Sequence, residues 1–419
     1  MTLDGRVRRM TGMDATADRD SEVARDPELE RHMAVFRRGA VDLIEEREIA
    51  ERLAAGRPLR IKFGMDPSSP DLHVGHAIPL LALRRMQDLG HQVVLIVGDA
   101  TAMVGDPSGR NELRPVLSRE EVERNLTTYT EQAARILDME RTEVRRNSEW
   151  FDALGFEGLL NLTTRMTVSQ MIERDTFKRR IARNEPIGIN EFLYPLMQGW
   201  DSVQVRADVE LGGSDQLFNL HVGRRLQEQE GQRGQSIRTH PLILGVDGRK
   251  MSKSLGNAIG IVDSARDMTF AVMRLDDDAM ETWFVQLTDL PAEEIAGLLA
   301  GHPRQAKARL AWEIAAFFHG TGDADRARAA FDSEVRDKEL PAEVAEHAWD
   351  DAWGESLAVP NLLKAIGMVA STSEARRAIE QGGLRLDGEV FSDPKGALSR
   401  DRAPVLVQLG KKRVARVVP

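Results

Sequence analysis

The sequence predicts an α/β fold: a parallel-sheet domain carrying a helical insertion, then a helical domain and a small C-terminal α+β domain. Three observations carry that prediction. Two short apolar runs, Arg60–Asp66 (RIKFGMD) and Gln92–Asp99 (QVVLIVGD), end at Gly or Asp breakers and read as buried parallel strands. Between them Ile78, Leu81, Leu83 and Met86 recur at helical spacing over His76–Leu89, which makes the unit β-α-β. From Pro360 to Pro419, eleven Lys and Arg stand against six Asp and Glu, a net +5 in a chain whose formal charge is −10.

A chain of 419 residues suits two or three domains. Residues 1–32 are polar and charged without an apolar stretch, so they read as a disordered extension and not a signal peptide. The sheet domain is expected over 33–262, with a helical insertion at about 115–190 and further strands at Ala207–Gly212 and His240–Gly245. Residues 263–352 read as helical, broken by Pro291, Pro303 and Pro341, and Trp353–Pro360 as a linker into a basic domain at 353–419. The charge reversal there suits a small RNA-binding module on an acidic enzyme, because phosphates are met by Lys and Arg; a solvated basic surface is the plainer alternative.

Hydrophobic residues at 42% and charged residues at 30% are those of a soluble globular protein, and no apolar run approaches the roughly 20 residues of a membrane span. The sequence has no cysteine, which removes disulfides, thiolate nucleophiles and Cys-ligated zinc, and a cytoplasmic setting is the simplest expectation.

Two motifs carry chemistry. His73-Val74-Gly75-His76 follows a strand and a Pro-rich turn and opens a helix. Imidazole N–H groups beside free helix-terminal amides make a phosphate site, and Gly75 lets a nucleotide approach the backbone. A metal pair is the alternative, but no third ligand stands at the spacing of zinc helices. Lys250-Met251-Ser252-Lys253-Ser254 lies between Gly248 and Gly256, a clamp able to bring two ammonium groups onto a leaving pyrophosphate. Alone it would read as a solvated basic loop; its position about 175 residues after the first motif, beyond a helical insertion, ties the two together.

In this order the motifs resemble the two signatures of class I aminoacyl-tRNA synthetases. FGMDPSSPDLHVGH, VGDPSGR, EFLYPLMQGWDS and ELGGSDQLFNL are similar to the bacterial tyrosyl branch of that family over roughly residues 35 to 265. NLLKAIGMVASTSEARRAIEQGGLRLDGEVFSDPKGAL resembles the S4-like RNA-binding fold that ends those chains. The resemblance implies a Rossmann-like catalytic domain that activates tyrosine with Mg-ATP, releases pyrophosphate and passes the tyrosyl group to the 3′ end of tRNA(Tyr). It also implies a homodimer joined through the helical insertion, no tightly bound cofactor and no resident metal.

By the same resemblance, His73, His76, Lys250 and Lys253 meet the ATP phosphates. Gly64, Asp66, Gly75, Asp215, Met251 and Ser252 line the nucleotide site, with Asp215 on the ribose hydroxyls. Asp106, Tyr194, Gln198 and Gln216 hold the α-amino end of the amino acid, and Asp201 accepts the phenolic hydroxyl. Arg110 and Arg114 resemble positions of a mobile loop that meets the pyrophosphate or the arriving tRNA end. Tyr194, Gln198 and Asp201 are spaced by four and three, so one helix face presents them together. Lys62 and Trp200 depart from the pattern: a tyrosine that helps bind the substrate hydroxyl stands at the first position in one branch, and a tyrosine is usual at the second. Lys62 leaves Asp201 to read the phenol with less help. Rival expectations are a paralogue for another amino acid, a small-molecule nucleotidyltransferase, or a non-catalytic binding protein on the same fold.

Overall fold

The computed structural model describes residues 26–67, 71–108, 118–249, 251, 256–336, 344–410 and 413–419. The chain divides into two compact units, one up to Ala324 and one from Asp325 onward.

The first unit opens with α1 (Pro27–Arg37), β1 (Leu43–Ile44) and α2 (Glu46–Ala54). The nucleotide-binding half follows as β2 (Arg60–Met65), α3 (Val74–Asp88), β3 (Gln92–Val97) and the short α4 (Asp99–Ala102). Next come α5 (Arg119–Ala133), β4 (Thr142–Arg146), α6 (Ser148–Thr163), α7 (Val168–Met171), α8 (Asp175–Ala182) and α9 (Ile189–Val205). The sheet is completed by β5 (Val209–Gly213), α10 (Leu217–Gln229) and β6 (Ser236–His240). The strand order is β1-β6-β5-β2-β3-β4, with β2 to β6 parallel and β1 antiparallel at one edge.

From β2 the chain runs outward through β3 to β4, then returns to place β5 on the other side of β2. That reversal puts a topological switch point between β2 and β5, where such sheets open a crevice at the strands' carboxyl ends. The central strands β3, β5 and β6 are almost wholly buried, as expected for a parallel sheet covered by helices on both faces.

Several boundaries differ from those the sequence predicts. Helix α1 starts at Pro27 and buries Met33 and Phe36, so residues 27–32, expected to be part of a disordered extension over 1–32, are helical; residues 1–25 lie outside the described residues. The stretch expected to be a helical insertion contains β4, a sheet strand of sequence TEVRR. The strand expected at His240–Gly245 lies at Ser236–His240.

The helices α11 (Ala265–Val272), α12 (Met280–Leu287), α13 (Ala292–Ala300) and α14 (Pro303–His319) follow, ahead of α15 (Thr321–Phe331). They were expected to form a domain of their own. Instead Met268, Trp283, Phe284 and Leu310 belong to the same buried cluster as Ile61, Leu80 and Val93 of the sheet unit. Arg85 of α3 ties the two together, with Nε donating to Asp289 at 2.6 Å and Nη2 to the Thr288 carbonyl at 2.7 Å.

The second unit begins earlier than residue 353. Strand β7 (Ala345–Ala348) precedes β8 (Ser356–Ala358), α16 (Val359–Ala365), α17 (Thr372–Glu380), β9 (Leu384–Leu386) and β10 (Glu389–Val390). The unit ends with β11 (Ala397–Ser399), β12 (Val405–Leu409) and β13 (Arg413–Val418). Its main sheet runs β10-β9-β12-β13-β7, and β7 pairs parallel with the last strand. The expected linker Trp353–Pro360 is structured: Ser356–Ala358 pairs with β11, and Val359 and Pro360 start α16. Leu362, Ile379, Leu384, Val407 and Val417 form this unit's own core, with Trp349 buried among them.

Candidate active site

The first motif lies where the sequence places it. His73 caps α3 in an extended conformation, and its main-chain N–H donates to His76 Nδ1 at 3.3 Å. The two rings stack with centroids 3.8 Å apart and planes within 16°. A Cβ on Gly75 would lie 3.0 Å from the His73 ring, so only glycine fits there without displacing the imidazole.

The segment after the second motif is fastened to the first. Val74 N–H donates to the Ile259 carbonyl at 2.9 Å and Ile261 N–H to the Leu72 carbonyl at 3.1 Å, making His73 and Gly260 an antiparallel bridge pair. The stem of the loop is closed by Val246 N–H on the Asn257 carbonyl (3.1 Å) and Asn257 Nδ2 on Asp247 Oδ1 (2.7 Å). Met251 is buried, with its sulfur 3.6 Å from where a Gly75 Cβ would stand. The two motifs, distant in the chain, therefore meet. Lys250, Ser252 and Lys253 lie outside the described residues, as do Arg110 and Arg114.

Around the switch point most of the remaining described residues fall into two hydrogen-bonded groups. Tyr194 Oη donates to Asp66 Oδ2 at 2.8 Å, and Thr101 Oγ1 to Asp66 Oδ1 at 2.8 Å. Asn147 Nδ2 donates to Thr101 Oγ1 (3.0 Å) and to Asp201 Oδ2 (3.3 Å), and Trp150 Nε1 donates to Asp201 Oδ1 (2.9 Å). On the other side Gln216 Nε2 donates to Asp106 Oδ2 at 2.9 Å. Asn219 Nδ2 bridges Gln216 Oε1 and Gln198 Oε1, each at 2.9 Å. Asp106 also accepts from Ser108 N–H at 2.8 Å, and the buried Arg174 guanidinium lies 3.9 Å away.

Tyr194, Gln198 and Asp201 do project from one face of α9, and Tyr194 and Asp201 are buried. Asp66, expected to line the nucleotide site, follows β2, and its carboxylate accepts from the Tyr194 phenol. Gly64, the second-last residue of β2, has nothing within 4 Å of a Cβ placed there. Asp215 and Gln216 occupy the turn after β5, and a Cβ on Gly213 would strike Asp215 at 2.6 Å.

The proton affinity of Asp201 is changed by its surroundings. Burial pushes its carboxyl up to about 7, opposed first by the charge of Lys62 and then by the hydrogen bonds from Trp150 and Asn147. Trp200 packs into the apolar clusters beside Trp150 and Val205, so its departure from the family pattern touches packing. Lys62 is fully buried against Glu210, Nζ to Oε1 at 2.8 Å.

Sequence reasoning missed Thr101, Asn147, Trp150, Asn219 and Arg174. The signal for two of them was present: Asn147 and Trp150 follow β4 at its carboxyl end, and recognising that strand would have placed them at the crevice.

The parallel sheet, the switch-point crevice and the meeting of the two motifs define a nucleotide-dependent synthetase. A family model for class I tRNA synthetases of the tryptophan and tyrosine type matches residues 54–335, and the S4 domain model matches 359–399. The chain belongs to that synthetase family. A tyrosine–tRNA ligase of Burkholderia thailandensis is 48% identical over 400 residues, covering 93% of this chain and 95% of that protein. One of Bordetella avium is 46% identical over 401 residues, covering 93% and 97%. Within its class the chain therefore falls among the tyrosine–tRNA ligases. A C-terminally truncated mitochondrial tyrosyl-tRNA synthetase of Aspergillus nidulans is similar in structure, with TM-score 0.61 at 25% identity over 75% of this chain and 95% of that one.

Proposed function

We propose that the enzyme joins tyrosine to ATP as tyrosyl-adenylate, with the substrate Mg-ATP bound across the first motif, and then transfers the tyrosyl group to tRNA(Tyr). The observation that carries this reading is the close approach of the two motifs, Met251 sulfur lying 3.6 Å from where a Gly75 Cβ would stand, in a chain that also buries Asp201 as an acceptor held by Trp150. The tyrosine carboxylate attacks the α-phosphorus and pyrophosphate leaves; no side chain acts as nucleophile. His73 and His76 donate to the phosphates, where charge develops, and Lys250 and Lys253 neutralise the leaving pyrophosphate. Asp215 takes the ribose, with Gly64 and Gly75 giving the nucleotide close access.

The α-amino group of the substrate fits the acceptors Asp106, Tyr194 and Gln198; Gln216 and Asn219 link Asp106 to Gln198, and Tyr194 is held by Asp66. Asp201 accepts the phenol and so separates tyrosine from phenylalanine, because the analogue leaves a buried acceptor unpaired. Arg110 and Arg114 approach the pyrophosphate or the tRNA end. ATP–pyrophosphate exchange with tyrosine, phenylalanine and tryptophan tests the reading: exchange driven by tyrosine alone is expected, and equal exchange with phenylalanine would overturn the role of Asp201.

Two further elements support the cytoplasmic tRNA-charging cycle. Arg376 and Arg377 are exposed on α17, within the basic stretch from Pro360 to Pro419, and suit tRNA phosphates. Phe156 at 77%, Val168 at 67% and Ile189 at 83% exposure put apolar surface on the helices between β4 and β5, which suits a homodimer contact. Sedimentation at micromolar concentration is expected to give a dimer; a monomer would remove that assignment. Among the described residues no helix is long and apolar enough to cross a membrane.

A further inference from the structure

Beneath the amino-acid end lies a buried ion pair that none of the roles above requires. Lys62 stands on the central strand β2 with no exposed surface. Its Nζ is 2.8 Å from Glu210 Oε1 on β5, 2.8 Å from Ser202 Oγ and 2.8 Å from the Gln198 carbonyl, the last two on α9. The three ammonium protons thus have three acceptors.

Glu210 is equally occupied. Its Oε1 also accepts from Gln198 Nε2 at 3.2 Å, and its Oε2 accepts from Ser202 Oγ at 2.9 Å and from Gln235 Nε2. Room for this cluster comes from α10: a Cβ on Gly223 would lie 2.6 Å from Gln235 Nε2, 3.1 Å from Ser202 Oγ and 3.2 Å from Glu210 Oε2.

A buried ion pair is a costly way to fill a core, since well-packed apolar residues of similar volume generally do as well or better. Its position suggests what it does. The ammonium holds residues 198 and 202 of α9, the turn that carries Gln198 and Asp201. The charged and polar groups facing Asp201 are Lys62 from β2, Glu210 from β5, and Asn147 and Trp150 from α6. Arg145 lies over the far side of Trp150, 5.6 Å from its ring centre. Among the groups acting on the Asp201 carboxyl, Lys62 contributes the strongest influence favouring the charged form.

We propose that Lys62 is a positioning and specificity-determining residue for tyrosine: its ammonium pins the Gln198–Ser202 turn to the sheet and supplies the field that keeps Asp201 an anionic acceptor for the phenol. The inference rests on the reading of Asp201 given above.

The test is ATP–pyrophosphate exchange between pH 6 and 9.5 with tyrosine and with phenylalanine. The variants are Lys62→Met and the double variant Lys62→Met/Glu210→Gln, which removes both charges and leaves no lone buried carboxylate. In the parent, KM for tyrosine is expected to rise as pH falls below about 7, the value to which Asp201 is pushed. Lys62→Met is expected to move that limb upward by about one pH unit or more, roughly a 10-fold loss of tyrosine kcat/KM at pH 7. The loss recovers by pH 9, while KM for ATP and phenylalanine activation change less than about 2-fold. The double variant is expected to lie between Lys62→Met and the parent.

An unmoved limb in the double variant would overturn the proposal, and so would a loss equal at every pH and shared by phenylalanine, the mark of a packing role. If Lys62→Met fails to fold, the double variant decides alone. The underlying reading fails separately, in a parent with no tyrosine-dependent exchange or in an Asp201→Ala variant whose preference for tyrosine is unchanged.

Discussion

At the proposed amino-acid end of the crevice, side chains hold side chains: Tyr194 is fixed by Asp66, Asp201 by Trp150 and Asn147, Gln198 by Asn219 and Glu210. At the phosphate end, the two imidazoles stack on one another, and the main chain of residues 259–261 fastens the base of the loop to the start of α3. The contrast follows from what each end must do. Discriminating a phenol from a phenyl ring needs an acceptor already desolvated and already oriented, so that its loss of a partner is costly. Neutralising phosphate needs charge delivered when the bond to the leaving group stretches, which a loop on a fixed base can do.

Variants at the two ends should therefore fail in different ways. The largest effect is expected at the phosphate end. His76→Ala should lower the rate of adenylate formation by roughly 10²–10³-fold, the usual loss for one transition-state donor, with the preference for tyrosine over phenylalanine unchanged. Pre-steady-state adenylate formation checks it, and a fall in selectivity would blur the division between the ends.

At the amino-acid end the order reverses. Asp201→Ala should reduce the ratio of tyrosine to phenylalanine kcat/KM by roughly 10–100-fold, as for a hydrogen bond to a charged group, with KM for ATP little changed. Competitive exchange assays with both amino acids give the ratio directly.

A third variant probes the rigidity itself. Gly223→Ala puts a methyl group 2.6 Å from Gln235 Nε2 in a packed interior and should cost about 1–3 kcal/mol of stability, read as a lower Tm. Gly64→Ala, at the open end of β2, should leave the Tm unchanged.

The smallest effect sharpens the comparison through pH. The Asp201 carboxyl is pushed up to about 7 by burial, while in the unfolded chain it titrates near 4. The folded state binds that proton more tightly, so the stability it contributes is complete below about pH 4 and is lost as pH rises through about 7. Asp201→Asn removes this dependence. Thermal unfolding at pH 5 and pH 8.5 should show the variant gaining on the parent at the higher pH; equal Tm differences at both would mean that Asp201 does not carry the buried charge.

How far the sequence could be read depended on whether an element's character lay in its own residues. The unit β2-α3-β3 was legible because QVVLIV and the helix after His73 are apolar at nearly every buried position, Gln87 excepted. Strand β4 was not, because TEVRR is a half-exposed edge strand with no apolar run. Strand β6 was misplaced by a few residues for a related reason. Its buried Arg238 and Thr239 look like surface residues until their partners are known: the Phe36 and Arg38 carbonyls for one, Asp42 for the other.

The site divided along the same line. The chain order of HVGH and KMSKS, and the helical spacing of Tyr194, Gln198 and Asp201, were fixed locally, so sequence alone supplied the class of chemistry and the candidate residues for it. The tertiary structure decided that Met251 reaches Gly75, that Asp66 faces a phenol, and that Lys62 is buried against Glu210 beneath Asp201. Spacing along a helix or strand is set by covalent geometry, whereas the proton affinity and orientation of a buried group are set by neighbours from other strands, whose identity the local sequence does not encode.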